Sequence, residues 1–168
     1  MKKGFTMIEL IFVIVILGIL ASVAVPRLAG TKADAEESAA VANLRTLISD
    51  ANTYYVATGD IPADTTWNQI TNVPVTGAAS TATTETKLKV GGKECIGVQF
   101  VAEATGATPA PAHIKFTKNS TNSSSGVCKQ VLASKSIEAY FNSKVPNVST
   151  TPGTDGAMPI GSNIKLER

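Results

Sequence analysis

No charged residue falls between Leu10 and Pro26, a stretch that is nearly all apolar, and beyond it the apolar positions thin to a stripe. Val41, Leu44, Ile48, Ala51 and Tyr55 recur at three- and four-residue steps, with Arg45, Ser49, Asp50 and Asn52 between them. The first pattern predicts a helix that is apolar on every side, the second an amphipathic one. Thr58-Gly59-Asp60-Ile61-Pro62 supplies the stop, because glycine suits the position after a helix and proline cannot extend it. One helix over 5–58 is therefore predicted. At about 1.5 Å per residue its segment 5–26 spans roughly 30 Å, the thickness of a bilayer's hydrocarbon. Pro26 and Gly30 predict a bend or a weakened stretch within it.

Past the stop the pattern shortens. Asp60 to Glu85 is rich in Thr, Ala and Pro and reads as an irregular loop, anchored by Trp67 and Ile70 through packing rather than ligand binding. Lys87–Val90, Cys95–Ala102 and His113–Thr117 predict short strands, the second alternating Ile96, Val98 and Phe100. Gly91-Gly92 predicts a hairpin turn between the first two. Thr117–Gly126 reads as a polar tip, Val127–Phe141 as a strand followed by a helix, and the Pro- and Gly-bearing tail from Asn142 as a wrap over the surface. The predicted fold class is α+β: a long N-terminal helix packed on a small antiparallel sheet in a head over 59–168. With 168 residues in all, the head has room for one small core.

The start of the chain carries the chemistry. Met1-Lys2-Lys3-Gly4 is a short basic leader joined directly to the apolar run, which holds a single acid, Glu9. A basic start, an apolar stretch and the small residues Ser22-Val23-Ala24 also describe a cleavable secretory signal. Glu9 argues against that reading, since a carboxylate in mid-bilayer costs on the order of 2.5–3.5 kcal/mol and a disposable signal has no use for the penalty. Cleavage after Ala24 would also cut through a helix whose periodicity continues.

Gly4-Phe5-Thr6-Met7-Ile8-Glu9 resembles the processing site of type IV prepilins and of the related pseudopilins of type II secretion. Gly18 and Pro26 also stand where that pattern expects them, and the resemblance extends to about Tyr55. It implies cleavage between Gly4 and Phe5 by a membrane prepilin peptidase, with N-methylation of Phe5. It further implies that residues 1–4 are a leader and that Glu9, Gly18 and Pro26 serve assembly. A carboxylate at Glu9 can pair with the new amine on Phe5, relieving part of the desolvation cost of each, and the resemblance implies that this pairing sets subunit register. The partners implied are other copies of the chain, other pilins, the peptidase and an inner-membrane assembly platform. The implied location is the bacterial inner membrane with the head in the periplasm, then an extracellular pilus or periplasmic pseudopilus.

Only two cysteines occur, Cys95 and Cys128. Both fall on the outer side if Lys2 and Lys3 mark the inner one, so a disulfide between them is expected, worth about 3–4 kcal/mol in the chain-entropy account. Catalysis has no footing: the one histidine, His113, has no nucleophile implied beside it, Ser123–Ser125 reads as a polar turn, and no phosphate-binding glycine pattern occurs. An enzyme is not expected, nor is a cofactor. Around Thr154-Asp155-Gly156, where major pseudopilins often hold calcium, Asp155 and Glu167 are too few acids for a metal site. Asn119, Asn122 and Asn147 match the general glycosylation pattern but read as polar loops.

Residues 1–86 hold five basic and eight acidic side chains and residues 87–168 ten and five, giving −3 and +5. A basic head allows weak, salt-sensitive contact with DNA or an anionic surface, though lysines scattered on a solvated face explain it more simply. The sequence thus predicts a structural subunit of a type IV pilus-like filament, serving adhesion, motility or DNA uptake. A pilin is preferred over a secretion pseudopilin because the acidic loop is missing. The alternatives are that pseudopilin, or a binding protein merely tethered by its helix.

Overall fold

The computed structural model describes residues 5–77, 79–105, 109–124, 126–151 and 153–161, with only the backbone described at 26–29. The chain divides into two compact units, Met1–Ala35 and Glu36–Arg168. One helix, α1 (Met7–Thr58), contributes to both and passes through Pro26 and Gly30 without a break. In the first unit its apolar side chains face no protein: Leu10, Ile14, Leu17 and Leu20 are all more than half exposed.

The second unit is an α+β head with pilin-like architecture. Its α1 residues Ala40, Leu44, Leu47, Ala51 and Tyr55 are buried against a five-stranded antiparallel sheet. The strands are β1 (Val75–Thr76), β2 (Thr86–Val90), β3 (Lys93–Val101), β4 (His113–Lys118) and β5 (Asp155–Pro159), and they lie side by side in chain order. Alternation places Leu88, Ile96, Val98, Phe100, Ile114 and Phe116 in the core, and each such side chain contributes about 1.5–3 kcal/mol by leaving water. Gly91 and Gly92, at φ 56° and 79°, make the turn between β2 and β3. A Cβ on Gly91 would lie 2.7 Å from the Glu36 carboxylate, so the hairpin tip needs glycine there to close on α1.

Three regions differ from the expected pattern. Val127–Phe141 holds no strand: it folds as α3 (Gly126–Leu132) and α4 (Lys135–Phe141). Cys128, Val131 and Leu132 are buried at three- and four-residue spacing, and that helical period outweighs the strand preference of Val127 and Val131. Ser134 then caps α4, its hydroxyl accepting the Ile137 N–H at 3.4 Å. The tail from Asn142 supplies a structural strand, β5, rather than a surface wrap alone. Asp155, Gly156 and Pro159 are poor strand formers, and β5 exists because β4 offers an open edge on one side and Ser143 accepts the Ala157 N–H at 3.1 Å on the other. Residues 162–168 of that tail lie outside the described residues. The loop from Asp60 to Glu85 contains β1 and a single helical turn, α2 (Trp67–Ile70), where the Thr66 N–H donates to Gln69 Oε1 at 2.9 Å. Trp67 is fully buried there.

Candidate functional site

The residues singled out near the chain's start converge on the first turn of α1. Phe5 and Thr6 precede the helix, and Phe5 is 88% exposed. Glu9 Oε2 accepts the Thr6 N–H at 2.8 Å and the Thr6 hydroxyl at 2.7 Å, while Thr6 Oγ1 accepts the Glu9 N–H at 3.3 Å. This is a reciprocal capping box, which satisfies otherwise open amide donors at the head of a helix and sets a negative charge at its positive end. The acid therefore has a local role as well, closing the first turn of its own helix. The signal was present, since Thr6-Met7-Ile8-Glu9 has the Thr-x-x-Glu spacing directly ahead of an apolar run.

From this cap the helix presents apolar side chains all round. Among the described residues α1 alone is long and apolar enough to cross a membrane. Its one hydroxyl in the stretch, Ser22, donates to the Ile19 carbonyl at 2.8 Å and so needs no water. A Cβ added to Gly18 would meet nothing within 4 Å, so packing inside this unit does not call for glycine there. A small residue at that place lets another helix approach closely. Gly4 lies outside the described residues, and at Pro26 only the helical backbone is described. The expected Phe5–Glu9 pairing would need the amine of a trimmed chain; in the chain described, the Glu9 partner is Thr6.

Elsewhere, Cys95 and Cys128 form a disulfide with Cα atoms 5.2 Å apart, both residues fully buried. His113 is buried, its Nδ1 2.8 Å from the Pro111 carbonyl oxygen. Asp155 accepts the Thr151 N–H at 2.7 Å through Oδ1 and faces Lys115 Nζ at 3.7 Å through Oδ2. Lys87 faces Glu94 at 3.7 Å, and the Lys118 ammonium lies 5.1 Å from the centre of the Phe141 ring. Three of the head's basic groups are thus engaged within it.

A long helix, apolar at its start and amphipathic where it enters a small antiparallel head, together with an acid at its capped N-terminus, defines the pilin-like class. Comparison with known proteins agrees: residues 1–25 match the prokaryotic N-terminal methylation motif. The chain is 45% identical to the type II secretion system core protein G of Dickeya chrysanthemi over 53 residues, 32% of this chain and 35% of that protein. The same protein of Pectobacterium carotovorum subsp. carotovorum is 40% identical over 62 residues, covering 37% of this chain and 40% of the relative. That of Escherichia coli (strain K12) is 42% identical over 53 residues, 32% of this chain and 37% of the relative. The chain spans about two fifths or less of the length of these relatives. No solved structure gives a significant match.

Proposed function

We propose that this chain is a pseudopilin: a structural subunit that polymerises through its apolar N-terminal helix in a periplasmic filament of type II secretion. The observation that carries the reading is the unpartnered apolar length of α1 from Met7 to Val25, headed by the Thr6–Glu9 cap, in a chain with 53 residues that are 45% identical to a core protein G. In the membrane that surface faces lipid, and in a filament it faces the same surface of neighbouring copies, so assembly exchanges one apolar environment for another. The interactions that choose the filament are then close packing at small residues such as Gly18 and a polar pairing at Glu9.

The order of preference reached from the sequence is thereby reversed, because the relatives are secretion proteins. A type IV pilus subunit remains the second reading, favoured by the C-terminal loop, where Asp155 is spent on Lys115 and Thr151. On either reading the chain is inserted in the inner membrane, trimmed between Gly4 and Phe5 by a prepilin peptidase, methylated on Phe5 and passed to an assembly platform. Its role is structural rather than catalytic, and contact with DNA through the head is secondary.

The test is the intact mass of the protein from its host, joined to a deletion. Loss of Met1–Gly4 with gain of one methyl group is expected. Deletion is expected to leave exported enzymes trapped in the periplasm, whereas loss of surface filaments with normal secretion would transfer the chain to the pilus class. An uncut, unmethylated chain would reduce α1 to a tether.

A further inference from the structure

We propose that the Cys95–Cys128 disulfide is a redox latch on a C-terminal flap, made of α3, α4 and β5, which opens separately from the rest of the head when the bridge is reduced. The bridge joins β3 to α3 across 33 positions of sequence. Directly beside Cys95, however, β3 and β4 are already held together. Ile96 pairs with Lys118, and the Asn119 N–H donates to the Cys95 carbonyl at 3.0 Å. While that pairing stands, the path left from Asn119 to Cys128 is at most the nine residues 120–128, and within it Asn122 Nδ2 donates to the Glu94 carbonyl at 3.1 Å. The bridge thus adds little to the β3–β4 pairing and acts chiefly on the docking of α3. Closing a loop of about ten residues shifts such an equilibrium by on the order of a hundredfold in the chain-entropy account.

The rest of the flap follows α3. Gly156 of β5 lies so close to α4 that a Cβ would come within 2.8 Å of Phe141 Cα and collide with the Tyr140 carbonyl. With Ala157 bonded to Ser143, β5 is clamped between β4 and the chain leaving α4. Tyr140 also meets Phe116 edge to face at 5.7 Å, and Lys118 covers Phe141. Lifting α3 and α4 removes one side of the clamp and bares the edge of β4. Val131, Leu132, Ile137 and Phe141 of the flap belong to the same core cluster, and what β2, β3, β4 and α1 keep among themselves when it lifts is Leu44, Leu47, Leu88, Ile96, Val98 and Phe100. The buried Val131, Leu132, Ile137 and Phe141 hold the flap closed most of the time, so the latch sets how often it opens.

Reduction by a dithiol transfers two electrons and two protons to the bridge, giving the two cysteine thiols while the dithiol closes to its own disulfide. Because both cysteines are fully buried, exchange requires the flap to be open, and an oxidised flap protects its own bond.

The test is amide hydrogen exchange on the full chain in detergent micelles, comparing the oxidised protein with C95A/C128A. Amides of 126–141 and 155–160 are expected to exchange about a hundredfold faster in the variant, with those of Leu88, Ile96 and Val98 unchanged. Equal acceleration throughout the head, including outright unfolding, would mean that the bridge secures the whole core and overturns the latch, as would no change anywhere. Gly156→Ala supplies an independent arm: with the bridge intact, β5 amides should quicken while those of α3 hold. Equal quickening in α3 also overturns the proposal.

Discussion

Thr6 and Glu9 each satisfy groups of the other, so the acid proposed to serve assembly already has a partner within its own chain. Glu9→Ala is expected to permit removal of the leader yet impair filament formation, read by cross-linking of neighbouring subunits and by the mass of the protein. Glu9→Gln keeps an acceptor for the Thr6 N–H while removing the charge, and normal assembly of that variant would sink the pairing with an amine. Thr6→Val removes the cap hydroxyl at a cost of about 1 kcal/mol, seen as several-fold faster exchange of the first-turn amides in micelles. At the other end of α1, burial first, then the charges of Glu103 and Asp60, hold the Tyr55 phenol above its ordinary pKa of 10.0. The folded head then keeps its proton where the unfolded chain has lost it. Stability is therefore full below about pH 10 and falls as pH rises from there through the folded value. Denaturation midpoints followed across that window should decline for the native protein and decline less for Tyr55→Phe.

Among the elements, those with strong period were legible and those made by context were not. Of the stripe Val41, Leu44, Ile48, Ala51 and Tyr55, Leu44, Ala51 and Tyr55 are buried as the spacing implies, Val41 and Ile48 are half-buried, and Leu47, one step off the stripe, is buried in the core. The three central strands stand within a residue or two of their sequence positions, because alternation between Ile96, Val98 and Phe100 is unambiguous. Val127–Phe141 misled because β-branched residues at 127 and 131 resemble a strand until Cys128 and Leu132 are counted with them at helical spacing. β5 was invisible because nothing local favours a strand in Asp-Gly-Ala-Met-Pro; its reasons lie on β4 and at Ser143. The Thr6–Glu9 cap was readable but overshadowed by the question of burying a charge. Leu47→Ala, in the centre of the helix–sheet contact, should destabilise the head by about 2–5 kcal/mol, measured as a lowered thermal midpoint while leader cleavage proceeds normally.

For the molecule as a whole, residues 1–25 match the N-terminal methylation motif, and the similarity to core protein G covers about a third of the chain. The head has a core of its own, built from α1, the sheet and the two short helices α3 and α4. Exchanging residues 59–168 for another pilin-like head should therefore leave processing intact, which the mass of the exported chimera would show. Thr6 and Glu9 both lie beyond the Gly4–Phe5 bond, so under the proposed trimming they would remain with the shortened chain, and the charge ahead of the helix would change while the pair that caps its first turn is kept. The proposed precursor and product would then share the angular phase of every side chain along the apolar run, and a subunit drawn into a filament would present the surface it already had in the membrane.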